Sequence, residues 1–294
     1  MIRRAVSTTN RCLIHARANS VRATGRGYCS IHYPNNEKDV AYLQMNNAPV
    51  NLMNLETMKA ITSAIEEIES NPKTKGLILT SSCTVFSAGL DLSEMCNVST
   101  NFLQEFYDAF QELWVTLYGT RLATIAAISG ECLAGGCIMS LACDSRLLAS
   151  TANIGLNEAA FGLTPPPWAC DMMIDTIGRR HAEKALSVGT IFTSTEAVRI
   201  GLVDRLVFVS PDDNVGTKAE KLNAEALTEV KQWIMAPGRE GTKELLRKKD
   251  LLKLQVNENR EYDLFQFIKQ VEDPKIQDRL GKYLASLKKK KVKD

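Results

Sequence analysis

The sequence predicts an α/β fold, a layered core followed by a C-terminal all-helical region. Three observations carry this. Short β-like runs alternate with amphipathic helices through the first half, which favours stacked layers of sheet and helix. After about Pro211 the texture shifts to charged amphipathic helices alone. The composition is that of an ordinary globular chain: 294 residues, 45% hydrophobic and 24% charged, which argues against disorder, coiled coil and membrane spans. The length supports a sizeable core in one large domain or two smaller ones.

The first 36 residues hold six arginines (3, 4, 11, 17, 22 and 26), several Ser and Thr, and no acid before Glu37. That is the composition of a mitochondrial transit peptide, expected over residues 1–29 with cleavage near Tyr28 to Ser30. A basic nucleic-acid arm would be denser in Lys and Arg. Removing the six arginines leaves 30 basic residues against 34 acidic, so the mature chain is formally near −4. The core is expected over residues 30–210. In it, "VAYLQM" (40–45), "GLILTSS" (76–82), "LATIAAIS" (122–129) and "SRLLAS" (145–150) read as strands, the middle two apolar enough to be covered on both faces. Between them, Leu55, Met58, Ile61, Ile65 and Ile68 form one helical stripe, and Phe102, Phe106, Phe110, Leu113 and Leu117 another. Residues 211–294 are expected to be helical over 215–235, 240–254, 257–270 and 274–290, covering the core or another subunit.

Several chemistries are excluded. The longest apolar runs are far too short for a transmembrane segment. Eight cysteines (12, 29, 83, 96, 132, 137, 143 and 170) include no CxxC pair and read as packed thiols of a reducing compartment. Only His181 lies clear of the leader region, so a His-based metal site or a Ser/His/Asp triad is not expected. GxxxxGK[ST], GxGxxG and GxSxG are all absent.

Three Gly-containing segments remain: "FSAGLDL" (86–92), "CLAGGCIMSLACD" (132–144) and "IGLNEAAFG" (154–162). In the first two a strand is followed by small residues and then a helix-like pattern. That leaves unpaired N–H groups at a helix start, suited to an oxyanion, and a nearby acid could move a proton. Each glycine could equally serve a tight turn or close packing. Glu158 is the one carboxylate in the third segment, and taken alone it reads as a surface acid. Glu131 and Glu94 are rival acids, each among polar or turn residues.

Taken in order, these segments resemble the crotonase superfamily, the enoyl-CoA hydratase/isomerase family. The resemblance runs from about Val40 to Val209 and includes "NAPVNLMN", "AGLDL", "AGGC", "CDSRLLAS" and "TSTEAVRIGLVDRLV". It implies a crotonase-like fold of repeated ββα units. It also implies that the backbone N–H groups of Leu90 and Gly135 form an oxyanion hole for a thioester oxygen and that Glu158 is the catalytic acid/base. Ala88, Gly89, Leu90, Asp91 and Leu92 would line the acyl-CoA, with Ala48 and Asn51 near its nucleotide end. "TPPPWAC" (164–170) would close one wall, with Trp168 stacking on substrate or filling core. Hydratases of the family usually carry a second Glu where this chain has Ile138. Ile138 can neither bind nor polarise water, which points to the isomerase branch: a 3-enoyl-CoA converted to the trans-2-enoyl-CoA in mitochondrial fatty acid β-oxidation.

A hydratase or dienoyl-CoA isomerase of the same fold is the alternative, and a non-catalytic acyl-CoA- or RNA-binding member is another. The acidic balance of the mature chain and the lack of a basic, aromatic-interleaved stripe weigh against nucleic acid. The resemblance further implies a fatty acyl-CoA partner, no cofactor beyond the coenzyme A of the substrate, no metal, a homotrimer or dimer of trimers, and the mitochondrial matrix.

Overall fold

The computed structural model describes residues 22–24, 27–34 and 38–291. The chain opens with β1 (Arg22–Thr24) and β2 (Cys29–His32), followed by β3 (Val40–Met45), β4 (Leu52–Met53) and α1 (Leu55–Ser70). Next come β5 (Gly76–Ser81), β6 (Gly89–Leu90), a 3₁₀ turn at Leu92–Glu94 and α2 (Thr100–Gly119). A third unit has β7 (Ala123–Ile128), β8 (Cys132–Leu133) and α3 (Gly135–Ala142). The fourth begins with β9 (Ser145–Ala149) and β10 (Asn153–Gly155). It continues through α4 (Glu158–Phe161), α5 (Pro167–Ile177), α6 (Arg179–Val188), β11 (Phe192–Thr193), α7 (Ser194–Arg199) and β12 (Arg205–Val207). Four helices end it: α8 (Val215–Ile234), α9 (Arg239–Gln255), α10 (Asn257–Val271) and α11 (Pro274–Lys291).

Each unit contributes one longer strand to one sheet and one shorter strand to a second layer, while β1, β2 and β12 extend the first and β11 the second. The first sheet has seven strands in the order β1-β2-β3-β5-β7-β9-β12, parallel from β3 onward and antiparallel at β1 and β2. The short strands form a second layer: β4 pairs with β6, and β10 with both β8 and β11, the two groups being linked by a bridge between Ser87 and Cys132. This is the repeated ββα arrangement. The four expected strands and four expected C-terminal helices are present to within a residue at each end. Strands β5 and β7 are buried at every position, because α8 covers the sheet so closely that a Cβ on Gly76 would lie 2.7 Å from Val230 Cγ2. The α1 stripe is wholly buried, and in α2 only Phe102 of the expected stripe is partly open.

Two further features bear on the site. The buried carboxylate of Asp144 accepts from Lys243 Nζ (2.9 Å), Arg247 (2.6 Å) and the Thr124 N–H (2.8 Å), tying α9 to the sheet. Arg247 also donates to the Ala142 carbonyl at the C-terminal end of α3 (3.0 Å), where a cation complements the helix dipole. Helix α11 returns to the core: Gln277 donates to the Met95 carbonyl (2.9 Å) and accepts from the Asn97 N–H (2.8 Å). No helix among the described residues is long and apolar enough to cross a membrane. Most of the expected leader lies outside the described residues, but Arg22–Thr24 pairs with β2, and the expected cleavage region meets the buried Cys29 at the start of that strand.

Candidate active site

The second layer ends in two backbone turns that meet. Gly89 has φ +93°, and a Cβ there would lie 3.0 Å from Gly135 N and 2.8 Å from Ala134 Cβ, so only glycine allows the approach. Its own N–H donates to Ser87 Oγ (3.1 Å), and the Asp91 N–H donates to the Met53 carbonyl (3.1 Å). Strand alternation therefore turns the intervening Leu90 N–H the other way, toward Gly135, where a Cβ would sit 3.5 Å from Leu90 N. On the facing side Ala134 is held at φ +48°, ψ −124°, a conformation that costs a non-glycine residue strain. This turn starts α3 at Gly135, whose N–H is one of the first-turn donors with no intrahelical partner. Leu90 and Gly135 thus approach each other closely and both line a cavity of about 420 Å³.

Glu158 opens the short helix α4 and faces the same cavity, which Leu133, Ile138, Phe161 and Leu163 also line. Its Oε2 is shut away from solvent and accepts no hydrogen bond among the described residues. Burial pushes the carboxyl up to about 7, opposed weakly by its own backbone N–H. The surrounding apolar run therefore raises the basicity of Glu158 into the range where a carboxyl exchanges protons near neutrality. Ile138, only 1% exposed, presents hydrocarbon from the first turns of α3.

The rival acids are occupied elsewhere. Glu94 Oε2 accepts from the Leu55 N–H at the start of α1 (2.7 Å), and Glu131 accepts from Asn153 (3.0 Å). Neither lines the cavity.

Ala88, Leu90, Asp91, Leu92, Gly135, Ile138 and Glu158 come together on the cavity wall, with Thr164, Pro165, Pro166 and Pro167 closing one side as expected. Gly89 sits directly behind that wall. Two expectations need correction. Trp168 is core: it is 2% exposed, packs on Phe110 and Trp114, and donates its Nε1–H to Asp263 (3.0 Å). Asn51 is buried at φ +47°, with its amide donating to Ser81 Oγ (2.7 Å) and the Phe86 carbonyl (3.0 Å), so its side chain shapes the β4–β6 turn rather than offering itself to a nucleotide. Ala48, expected near the nucleotide end, is exposed and does not line this cavity, to which Val50 and Leu52 contribute.

Sequence reasoning missed the far wall. It is built by Tyr107 and Phe110 of α2, Asp263, Gln266, Phe267 and Gln270 of α10, and Tyr283, Leu284 and Leu287 of α11. The one available signal was an acid, Asp263, set in the apolar stripe of α10 with Phe267 and Val271.

A family model described as enoyl-CoA hydratase/isomerase matches residues 35–284. The chain belongs to the enoyl-CoA hydratase/isomerase family. Among its relatives, mitochondrial enoyl-CoA delta isomerase 1 of Mus musculus is 38% identical over 86% of this chain and 85% of its own length. The Homo sapiens protein of the same name is 38% identical over 86% and 81%. A crotonyl-CoA hydratase of Syntrophomonas wolfei is 31% identical over a shorter span, 58% of this chain. The crystal structure of human mitochondrial delta3-delta2-enoyl-CoA isomerase superposes with a TM-score of 0.82 at 36% identity, covering 90% of this chain and 99% of that one. Family membership agrees with the ββα repeats.

Proposed function

We propose that this chain is a Δ3,Δ2-enoyl-CoA isomerase in which Glu158 alone moves the proton. The observation that carries this is the Glu158 carboxyl: one oxygen is shut from solvent and unpartnered, on the wall of a cavity that Ile138 also lines with hydrocarbon. Water addition calls for a second polar group to hold and orient the water, and Ile138 cannot serve. Allylic isomerisation calls for one base that reaches two carbons.

The Leu90 and Gly135 N–H groups receive the thioester oxygen. Glu158 takes a proton from C2, and the electron pair of that C–H bond moves into a dienolate spread over the oxygen, C2 and C4. The two amides stabilise the developing charge on oxygen without reorganising. The same carboxyl then returns the proton to C4, which leaves the double bond between C2 and C3. An apolar wall keeps solvent from quenching the dienolate. This chemistry needs no cofactor or metal, since coenzyme A belongs to the substrate.

The names of the relatives support a mitochondrial location, and the arginine-rich, acid-free leader supports import to the matrix, with a cut near Tyr28 to Ser30 that removes β1. Self-association as a trimer or dimer of trimers is supported by apolar side chains left open on α9 and α10, among them Leu245, Leu246, Tyr262 and Phe265.

The pH profile tests the assignment of the base. With a 3-enoyl-CoA and the conjugated product followed by absorbance, kcat/KM is expected to rise with pH and level off with an apparent pKa about 7. A profile that rises instead around 4.5, the ordinary value for a Glu carboxyl, would show that the proton-moving group is not the desolvated Glu158.

A further inference from the structure

Besides Glu158 and Asp91, a third carboxylate lies on the cavity wall and has no part in that chemistry. Asp263 is 7% exposed and lies on the α10 side of the cavity, among the side chains of α2 and α10. Its Oδ2 collects three neutral donors: Tyr107 Oη at 2.9 Å, Gln111 Nε2 at 2.9 Å and Trp168 Nε1 at 3.0 Å. These tie α2, α5 and α10 together, a structural task that one oxygen completes.

The other oxygen is left over. The hydrogen bonds that Asp263 accepts from the described residues all end on Oδ2, and none of the ion pairs among those residues involves it. The nearest basic residue on its own helix, Arg260, is spent on Glu112 (2.9 Å) and the Asp108 carbonyl (3.0 Å). Asp263 is nearly buried, and the cavity is the open space that the residue borders, with Oδ2 already committed to its three donors. Gln266 and Gln270, on the next turns of α10, line the same wall, Gln270 being paired with Thr164 (2.6 Å).

We propose that Asp263 forms a hydroxyl-reading subsite in the acyl channel, selecting enoyl-CoA thioesters whose tail carries a hydroxyl over those with a plain alkyl tail. The proposal rests on the cavity being the acyl site of the isomerase. An alkyl chain laid against Oδ1 strips its water and offers nothing in return, whereas a hydroxyl donates to it. Hydrogen bonds to charged groups are worth enough to set a preference of roughly 10- to 100-fold. Sites built to bond a hydroxyl reject the analogue lacking it far more strongly than apolar pockets reject an extra methylene.

The test walks a hydroxyl along the tail of a series of 3-enoyl-CoA thioesters and compares kcat/KM with the plain alkyl compound of equal length. The wild-type protein is expected to prefer the hydroxylated substrate by about 10-fold or more at one tail position, and not at the others. In Asp263→Asn, which keeps a carbonyl oxygen for the three donors and turns an amide NH₂ to the cavity, that preference is expected to fall toward one. A purely structural hub gives no position dependence in the wild-type protein, and that result overturns the proposal whether or not the variant folds. Equal turnover of both tails overturns the subsite alone, while absence of isomerisation with either tail overturns the isomerase assignment itself.

Discussion

Glu158→Gln is expected to lower kcat roughly 10³-fold and, at the same time, to stabilise the protein above pH 7. The loss follows because the amide is isosteric but cannot accept the C2 proton, and a positioned general base is worth about 10²- to 10⁴-fold. The gain follows from linkage. Burial raises the folded-state value of Glu158 from 4.5 to about 7, so between those values the unfolded chain ionises while the folded chain holds its proton. Below 4.5 both states are protonated and Glu158 costs nothing. As pH climbs to about 7 the stability falls, and above it the full penalty of roughly 3 kcal/mol applies. Glutamine carries no such penalty. Urea titrations of both proteins at acid and at mildly alkaline pH check this: the difference in midpoint is expected to open only on the alkaline side. A variant no more stable than wild type there would mean that Glu158 is ionised without cost.

Asp144→Ala is expected to destabilise the fold by about 3–5 kcal/mol, the usual result of removing one partner from a buried ion pair. Asp144 is 4% exposed and compensates two cations, Lys243 and Arg247, at once. Burial already draws the Lys243 ammonium down to about 8 against the pull of Asp144, so without the carboxylate it can shed its proton. Arg247 cannot, and its charge would stay buried between α9 and the end of α3. Because α3 carries both Gly135 and Ile138, the same change is expected to raise KM in whatever fraction remains folded. The urea midpoint is the measure, and a shift of less than about 1 kcal/mol would mean that α9 is held by its apolar contacts alone.

Much of this was legible in the sequence because it rests on local pattern. Strands β3, β5, β7 and β9 are four to six residues of dense apolar sequence, and the C-terminal helices carry clear 3.6-residue stripes. Strands β4, β6 and β8 are two residues long, below any periodicity, and α4 has only four. They exist because neighbouring units present edges for them to pair with. Within the site, Leu90, Gly135, Ile138 and Glu158 are reached through the family resemblance of three segments taken in order; taken singly, each glycine reads as a turn and Glu158 as a surface acid.

The far wall could not be reached in this way. Asp263 meets Tyr107 across 156 residues of chain, and an acid on an amphipathic helix reads as solvated until its partners are in view. Trp168 and Asn51 failed for the converse reason: each suits a ligand in type, and each proves to be consumed by internal hydrogen bonds.

The central claim is that one carboxyl serves both carbons. A 3-enoyl-CoA carrying deuterium at C2, converted within a single turnover in ordinary water, tests it most directly. If Glu158 carries the label from C2 to C4 inside a water-excluding cavity, part of the deuterium is found at C4 of the trans-2-enoyl product. If C4 carries only solvent hydrogen even at the shortest times, a second group or a water delivers that proton, and the single-carboxyl account is contradicted.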